Sequence, residues 1–350
     1  MKTGITGLPY SGKTTLFCAL TGQDYESLPH GKDIHLGTVR VPDERLDRLY
    51  EMFKPKKKTL VNMEYFDVKG HTSGQSKTME PKELQAFKNA NSLILVLDAF
   101  NEGANPRGDF DSIIEEFALN DLVVVTNRLD RLEKELRSGK HDEQVLEKAI
   151  LEKCRDTLES EGVLGDLKFG HEEEKVLKGF QFLSLKPLLI VINISEAALL
   201  SGVAGKYEKQ FDEISNTVCT SICTEIEMEI ALLDVNDRPA FLESMGIKET
   251  ALEKVIRLSY ESLGLISFFT AGGTDEVRAW TVRKGTPAPE CAGVIHSDME
   301  RGFIRAEVVS FDDLMSSGSF KAAREKGLLR IEGKSYVVQD GDIATILFNV

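Results

Sequence analysis

Residues 1–127 alternate short apolar runs with segments of helical spacing, the texture of strands and helices taken in turn. LILVLDA (93–99) is a continuous apolar run closed by an aspartate, which predicts a strand buried on both faces of a parallel sheet. LVVVTN (122–127) is nearly as apolar, but it follows FDSIIEEFALND without a turn signal and so reads as helix running into the next segment. From Arg128 to Phe180 the texture changes to dense charge, with Leu129, Leu132 and Leu136, then Leu151, Cys154 and Leu158, at helical spacing. SGKHD (138–142) separates the two runs, which predicts an antiparallel helical hairpin, partly coiled-coil-like. EGVLGDLKFG (161–170) turns the chain back toward the sheet. LKPLLIVINISE (185–196) is the next buried strand, and TSICTEIEMEIALLD (220–234) a last strand running into a helix. Beyond about Gly264, SFFTAGG, EVRAWTV, FIRAEVV, KSYVVQDGD and ATILFNV alternate with turns and predict a separate small α+β domain. The predicted fold is α/β. A mostly parallel sheet is built from 1–127 and 181–263, with a helical hairpin inserted at 128–180 and an α+β domain over 264–350.

The first candidate chemistry lies in GLPYSGKT, Gly7–Thr14. It satisfies G-x-x-x-x-G-K-[ST] in the required context, with Gly4-Ile5-Thr6 as a short strand before it and TTLFCALTG as a helical pattern after it. Glycines let the backbone curl until successive N–H groups point inward as an anion nest. The helix that follows adds the positive end of its dipole. Tyr10, Ser11, Gly12, Lys13, Thr14 and Thr15 are therefore expected to cradle phosphates. Lys13 would neutralise the β and γ groups and the Thr14 hydroxyl would ligate Mg²⁺.

A second carboxylate for the ion is expected at the end of a neighbouring strand, and MEYFDVKG (63–70) supplies Asp67. Asp67-Val68-Lys69-Gly70 reads D-x-x-G, so Asp67 would hold Mg²⁺ through water and the Gly70 N–H would sense the γ-phosphate. For the base, GTPases commonly carry N-K-x-D after a strand. The corresponding stretch here is Asn193-Ile194-Ser195-Glu196. The lysine is absent and the carboxylate sits one methylene out of place for guanine. An asparagine can pair with the N6/N7 edge of adenine. Asn193, Ile194 and Glu196 are expected to face the base, with ATP preferred to GTP.

Composition narrows the partners. The net charge is −14, which argues against non-specific nucleic-acid binding by the whole surface. KPKKK, Lys54–Lys58, is the one dense basic run and reads as a solvated loop. No window approaches the roughly 18 apolar residues of a membrane span, and the first 16 residues are occupied by the motif, so no signal peptide is expected. The five cysteines are scattered, as free thiols in a reducing cytoplasm would be. Cys219 and Cys223 have no second Cys/His pair nearby to suggest zinc. Trp280 is expected in the core or at a subdomain contact, and His296 in a structural role.

With these residues in place the chain resembles the Obg-like ATPase family, YchF, as a divergent member. The stretches that carry the resemblance are GLPYSGKTTLF, GTVRVPDERLDRL, KPLLIVINISE, ICTEIEMEIALLD, the run from LISFFTAGG to FIRAEVV, and VVQDGDIATILFNV. The resemblance implies a G-type domain that prefers ATP, a hairpin inserted in it, and a C-terminal TGS domain of β-grasp type. It also implies slow hydrolysis and association with ribosomes or stress responses. The expected partners are ATP and ADP and the ribosome or ribosomal RNA, with neither DNA nor membrane. Three departures stand out. Tyr10 replaces the asparagine usual in the family's loop, and Thr14 its serine. ESLPHGKDIHL, before Gly37, lacks the aromatic-rich segment ending in threonine that resembles switch I. NEGANPRGDFD (101–111) has no histidine, where the family carries a proposed catalytic one in a later loop. His71 instead follows Gly70 directly, where translational GTPases place a histidine that orients water. His71 is thus a candidate catalytic group beside Lys13, the alternative being an exposed loop histidine without a role. Two other readings use the same residues: a GTPase of the translation or assembly type, and a scaffold that holds nucleotide without hydrolysing it.

Overall fold

The computed structural model describes residues 1–28, 33–68, 79–139, 142–214, 217–234, 237–244 and 250–349. The chain runs β1 (Lys2–Thr6), α1 (Lys13–Thr21), β2 (Ile34–Arg40), α2 (Glu44–Phe53), β3 (Lys57–Thr59) and β4 (Asn62–Val68). Next come α3 (Pro81–Lys88), β5 (Ser92–Ala99), α4 (Pro106–Ser138), α5 (Asp142–Glu159), α6 (His171–Lys178) and β6 (Leu188–Ile194). Then follow α7 (Glu196–Leu200), α8 (Ala204–Glu208), β7 (Thr217–Ile222), α9 (Thr224–Leu232), α10 (Arg238–Ser244) and α11 (Ala251–Ser262). The last part is β8 (Leu265–Thr270), β9 (Glu276–Arg283), α12 (Ala288–Ile295), α13 (Ser297–Arg301), β10 (Phe303–Ser310), α14 (Phe311–Ser317), α15 (Phe320–Glu325), β11 (Arg330–Glu332) and β12 (Asp342–Phe348). The chain divides into two compact units, one of residues Met1–Thr38 with Glu64–Val255, the other of Val39–Met63 with Ile256–Val350.

The first unit is built on a sheet of order β2-β4-β1-β5-β6-β7. β1 pairs in parallel with both β4 and β5, and β5, β6 and β7 continue in parallel. The apolar runs at 93–99 and 188–194 are the two central strands, and every residue of β6 is buried. One face packs Phe66, Leu95, Ile190 and Ile192 against Phe87, Phe110, Ile113 and Phe117. The strands after β1 lie on both sides of it, β2 and β4 on one and β5 on the other, so the topological switch point, where ligands sit in such sheets, is the crevice at the carboxyl end of β1.

The hairpin is there, and LVVVTN is indeed helical, but the first leg begins at Pro106, well before the charge texture changes. Asn105 caps it, its Oδ1 accepting from the Gly108 N–H. Val125, Leu129 and Leu132 of α4 pack on Ile150, Leu151, Cys154 and Leu158 of α5. Arg128 clamps Glu147 across the legs through Nε and Nη2, at 2.7 and 2.8 Å. Asp121, fully buried on α4, accepts from the Leu183 and Ser184 amides and from the Ser184 hydroxyl.

The second unit holds a sheet of order β11-β10-β12-β8-β9-β3. β8 and β9 form a hairpin, β12 lies parallel beside β8, and β10 is antiparallel to β12 and β11. With α12 across one face of this sheet, the strands after residue 264 have the β-grasp arrangement. Two expectations are corrected here. KSYVVQDGD is a loop as far as Gly341 and only its last residue, Asp342, enters β12; an isolated bridge joins Val337 to Pro287, the Gly341 amide donates to the Ser267 carbonyl of β8, and Asp342 holds the loop by accepting from Tyr336 Oη and the Gln339 amide. KPKKK is not simply a solvated loop either, since Lys57–Thr59 forms edge strand β3, parallel to β9. Lysines on an edge strand discourage pairing with another chain. Residues 39–63 belong with this unit because α2 buries Leu46 and Leu49 against Phe269, Val277 and Phe311. Trp280 is partly buried on β9, donating Nε1–H to Thr270 Oγ1, with the Arg278 guanidinium 4.0 Å from its ring.

Candidate nucleotide-binding site

The glycine loop leaves β1 at the crevice. Gly7 has φ 147°, and a Cβ there would lie 2.3 Å from the Val96 carbonyl oxygen, so the loop passes β5 at a distance only glycine permits. Gly12 has φ 97°, and its absent Cβ would lie 2.5 Å from Asn193 Nδ2. Tyr10 also takes a left-handed conformation, φ 65°, with its side chain 83% exposed. A bulky residue rarely sits there. Asparagine, usual at this place in the family the sequence resembles, tolerates it better.

Lys13 and Thr14 open α1, whose first turn carries no acidic residue to compete for its amides. Lys13 Nζ donates to the Leu8 carbonyl at 2.7 Å, closing the loop on itself. Burial lowers its pKa, against the raising influence of Asp67 and Glu83. Thr14 Oγ1 donates to Asp67 Oδ2 at 2.7 Å. Asp67 reaches this point because β4 runs beside β1 in register, Ile5 opposite Asp67. Its pKa is raised by burial, opposed by the Thr14 hydrogen bond and by the charges of Lys13 and His35.

Two oxygens at this place, Asp67 Oδ1 and Ser11 Oγ, are buried without a hydrogen-bond partner among the described residues. Buried polar atoms are nearly always paired, so this donor set of carboxylate and hydroxyl oxygens fits a hard cation. Mg²⁺ is commonly held by one or two carboxylates together with substrate phosphates. Among the described residues no three His, Cys, Asp or Glu side chains gather as a metal cage.

The base-side residues are redistributed. Asn193 is buried at the end of β6 and donates Nδ2–H to the Ser11 carbonyl at 3.2 Å. Its Oδ1 accepts from the Thr224 amide at 3.2 Å and the Thr224 hydroxyl at 2.9 Å. With Oδ1 occupied, the bidentate pairing with adenine is not open to this side chain; one amide hydrogen remains free for a purine. Ile194 is wholly buried in the core, so its side chain does not face a base. Glu196 is exposed and begins α7, capped by the Ser195 hydroxyl. Thr15 follows on α1, half-buried. Gly70 and His71 lie outside the described residues. Thr224 was missed by sequence reasoning. Its signal was position: it opens α9 two residues after β7, the strand paired with β6 near Asn193.

A parallel sheet, a glycine loop at the switch point, a lysine on the helix that follows and a threonine–aspartate pair across the crevice define a P-loop nucleotide-binding protein. The model of the YchF-GTPase C-terminal family, described as a protein of unknown function (DUF933), matches residues 265–349. The chain is 39% identical over 366 residues to the "Ribosome-binding ATPase YchF" of Bacillus subtilis, covering 100% of both chains. It is 37% identical over 365 residues to the protein of that name from Escherichia coli O157:H7, covering 100% of this chain and 99% of that one. The structure titled Schizosaccharomyces pombe YchF GTPase superposes with a TM-score of 0.85 at 29% identity, covering 99% of this chain and 97% of that one. The chain belongs to the YchF family.

Proposed function

We propose that the protein binds ATP in preference to GTP, hydrolyses it slowly to ADP and phosphate with Mg²⁺, and acts as a nucleotide-dependent switch on the ribosome, hence in the cytoplasm. The observation that carries the nucleotide reading is the Thr14–Asp67 hydrogen bond, 2.7 Å long, at the mouth of a loop whose lysine is held on the loop itself. The ribosome enters from the names of the bacterial relatives.

On binding, Lys13 would exchange the Leu8 carbonyl for phosphate oxygens, and the amides of residues 10–15 would converge on the same charge. Thr14 Oγ and Asp67 would hold the ion, which supplies charge neutralisation on the β and γ phosphates. Catalysis is then positioning and electrostatics, with no covalent intermediate. His71 is the proposed group for orienting the attacking water. The free amide hydrogen of Asn193 suits N7, common to both purines, so preference falls to the carboxylate. Glu196 stands where an aspartate would take two hydrogen bonds from guanine, and the longer side chain starts a helix pointing to solvent.

The test is competition of labelled ATP by unlabelled ATP and GTP on the full chain, with Lys13→Ala as the control, followed by single-turnover hydrolysis with Mg²⁺. ATP is expected to compete better and to be cleaved. Better competition by GTP would favour the GTPase reading, and binding without cleavage the scaffold. Cosedimentation with ribosomes should differ between ADP and a non-hydrolysable ATP analogue; equal recovery would count against the switch.

A further inference from the structure

His35 is the second residue of β2 and is only 8% exposed. Its Nδ1 is buried without a hydrogen-bond partner among the described residues. The imidazole lies 6.4 Å, centroid to centroid, from the ring of Phe17, one turn along α1 from Thr14. β2 lies next to β4, the strand that carries Asp67, in the sheet. Among the described residues the imidazole nitrogen thus joins Asp67 Oδ1 and Ser11 Oγ as a buried polar atom without a partner. An aliphatic residue at 35 would pack on Phe17 without leaving a buried polar atom unpaired, which is destabilising.

We propose that His35 Nδ1 accepts a hydrogen bond from a water in the coordination shell of the divalent ion held at Thr14 and Asp67, a role that rests on the nucleotide-binding reading above. A bound cation acidifies its waters and makes them strong donors. The imidazole accepts at Nδ1 when Nε2 keeps the proton. The position also has a sequence rationale. The segment leading into β2 has no threonine aligned with the one expected from switch I. His35 would meet the shell from β2.

The proposal is tested by pulsed electron paramagnetic resonance on the full chain loaded with Mn²⁺ and a non-hydrolysable ATP analogue, prepared with ¹⁵N-labelled histidine. A weak ¹⁵N coupling is expected, lost in His35→Gln and kept in His71→Ala and His30→Ala. Mn²⁺ affinity in the nucleotide complex should fall about tenfold in His35→Gln, the size typical of outer-shell partners. The labelled unsubstituted protein answers the question even if the glutamine variant folds poorly. Absence of histidine coupling with metal and nucleotide bound would overturn the proposal while leaving the nucleotide reading intact. So would loss of the coupling in His71→Ala rather than in His35→Gln, or a coupling as large as that of a directly bound imidazole. Failure of the folded protein to retain the analogue at all would sink both.

Discussion

Asn193 Nδ2 donates to the carbonyl of Ser11 across 3.2 Å, tying the end of β6 to the phosphate loop. The same amide accepts twice from Thr224, so one buried side chain joins the loop, the central sheet and the start of α9. Asn193→Ala leaves these partners unsatisfied and should cost about 1–3 kcal/mol in denaturant unfolding. The loop loses its brace, and nucleotide affinity should fall at least about tenfold, equivalent to about 1.4 kcal/mol. Thr224→Val, which keeps the shape and the backbone donor, should lose less on both measures.

Gly12→Ala is expected to weaken nucleotide binding more than it weakens the fold. The new methyl meets Asn193 Nδ2 at 2.5 Å, and the backbone is held at φ 97°. The left-handed conformation alone costs a residue with a Cβ about 1–2 kcal/mol. Comparing equilibrium unfolding with binding of a fluorescent ATP analogue separates the two losses; unchanged binding would contradict this geometry.

Tyr10→Asn and Tyr10→Gly should stabilise the protein by about 0.5–1 kcal/mol, because both residues accept φ 65° more readily and the tyrosine ring is out in solvent. Urea unfolding without nucleotide is the measurement. A loss of stability would mean that the ring makes contacts that outweigh the backbone strain.

Lys186 gives a pH signature. Burial lowers its pKa to about 8, despite Asp121 nearby, and its Nζ donates to the Ala90 carbonyl. Below pH 8 the group is charged in both folded and unfolded chains. Between about 8 and the ordinary lysine value near 10.4, the unfolded chain binds the extra proton, so this residue makes stability rise with pH. Unfolding free energies of the protein and of Lys186→Met, measured from pH 7 to 10, should converge toward the alkaline end in the variant's disfavour. Parallel curves would show that the lysine titrates normally.

Much of the fold was legible because burial on both faces of a parallel strand leaves an unmistakable apolar run, as in 93–99 and 188–194. The phosphate loop was legible for a similar reason: its chemistry is local, and backbone amides, one lysine and one hydroxyl lie within eight consecutive residues. KSYVVQDGD misled because Val338 and Tyr336 pack on a core from a loop, where the Tyr336–Asp342 hydrogen bond stands in place of ladder bonds. Residues 39–63 misled because nothing local in α2 says which sheet its apolar stripe will cover. Asn193 misled because the residue suited to a base is equally suited to a carbonyl, and only the neighbour decides.

By itself, then, the sequence determined the elements, the parallel order implied by alternation, and the identity of Lys13, Thr14 and Asp67, since each follows from periodicity or from contacts a few residues long. The tertiary structure alone decided that Thr14 meets Asp67, that Asn193 is spent on Ser11 and Thr224, that Ile194 turns into the core, and that His35 is buried beside α1 with a nitrogen unpaired among the described residues. Those outcomes depend on strand register and on which side chains converge from distant parts of the chain, and neither is encoded in any short window.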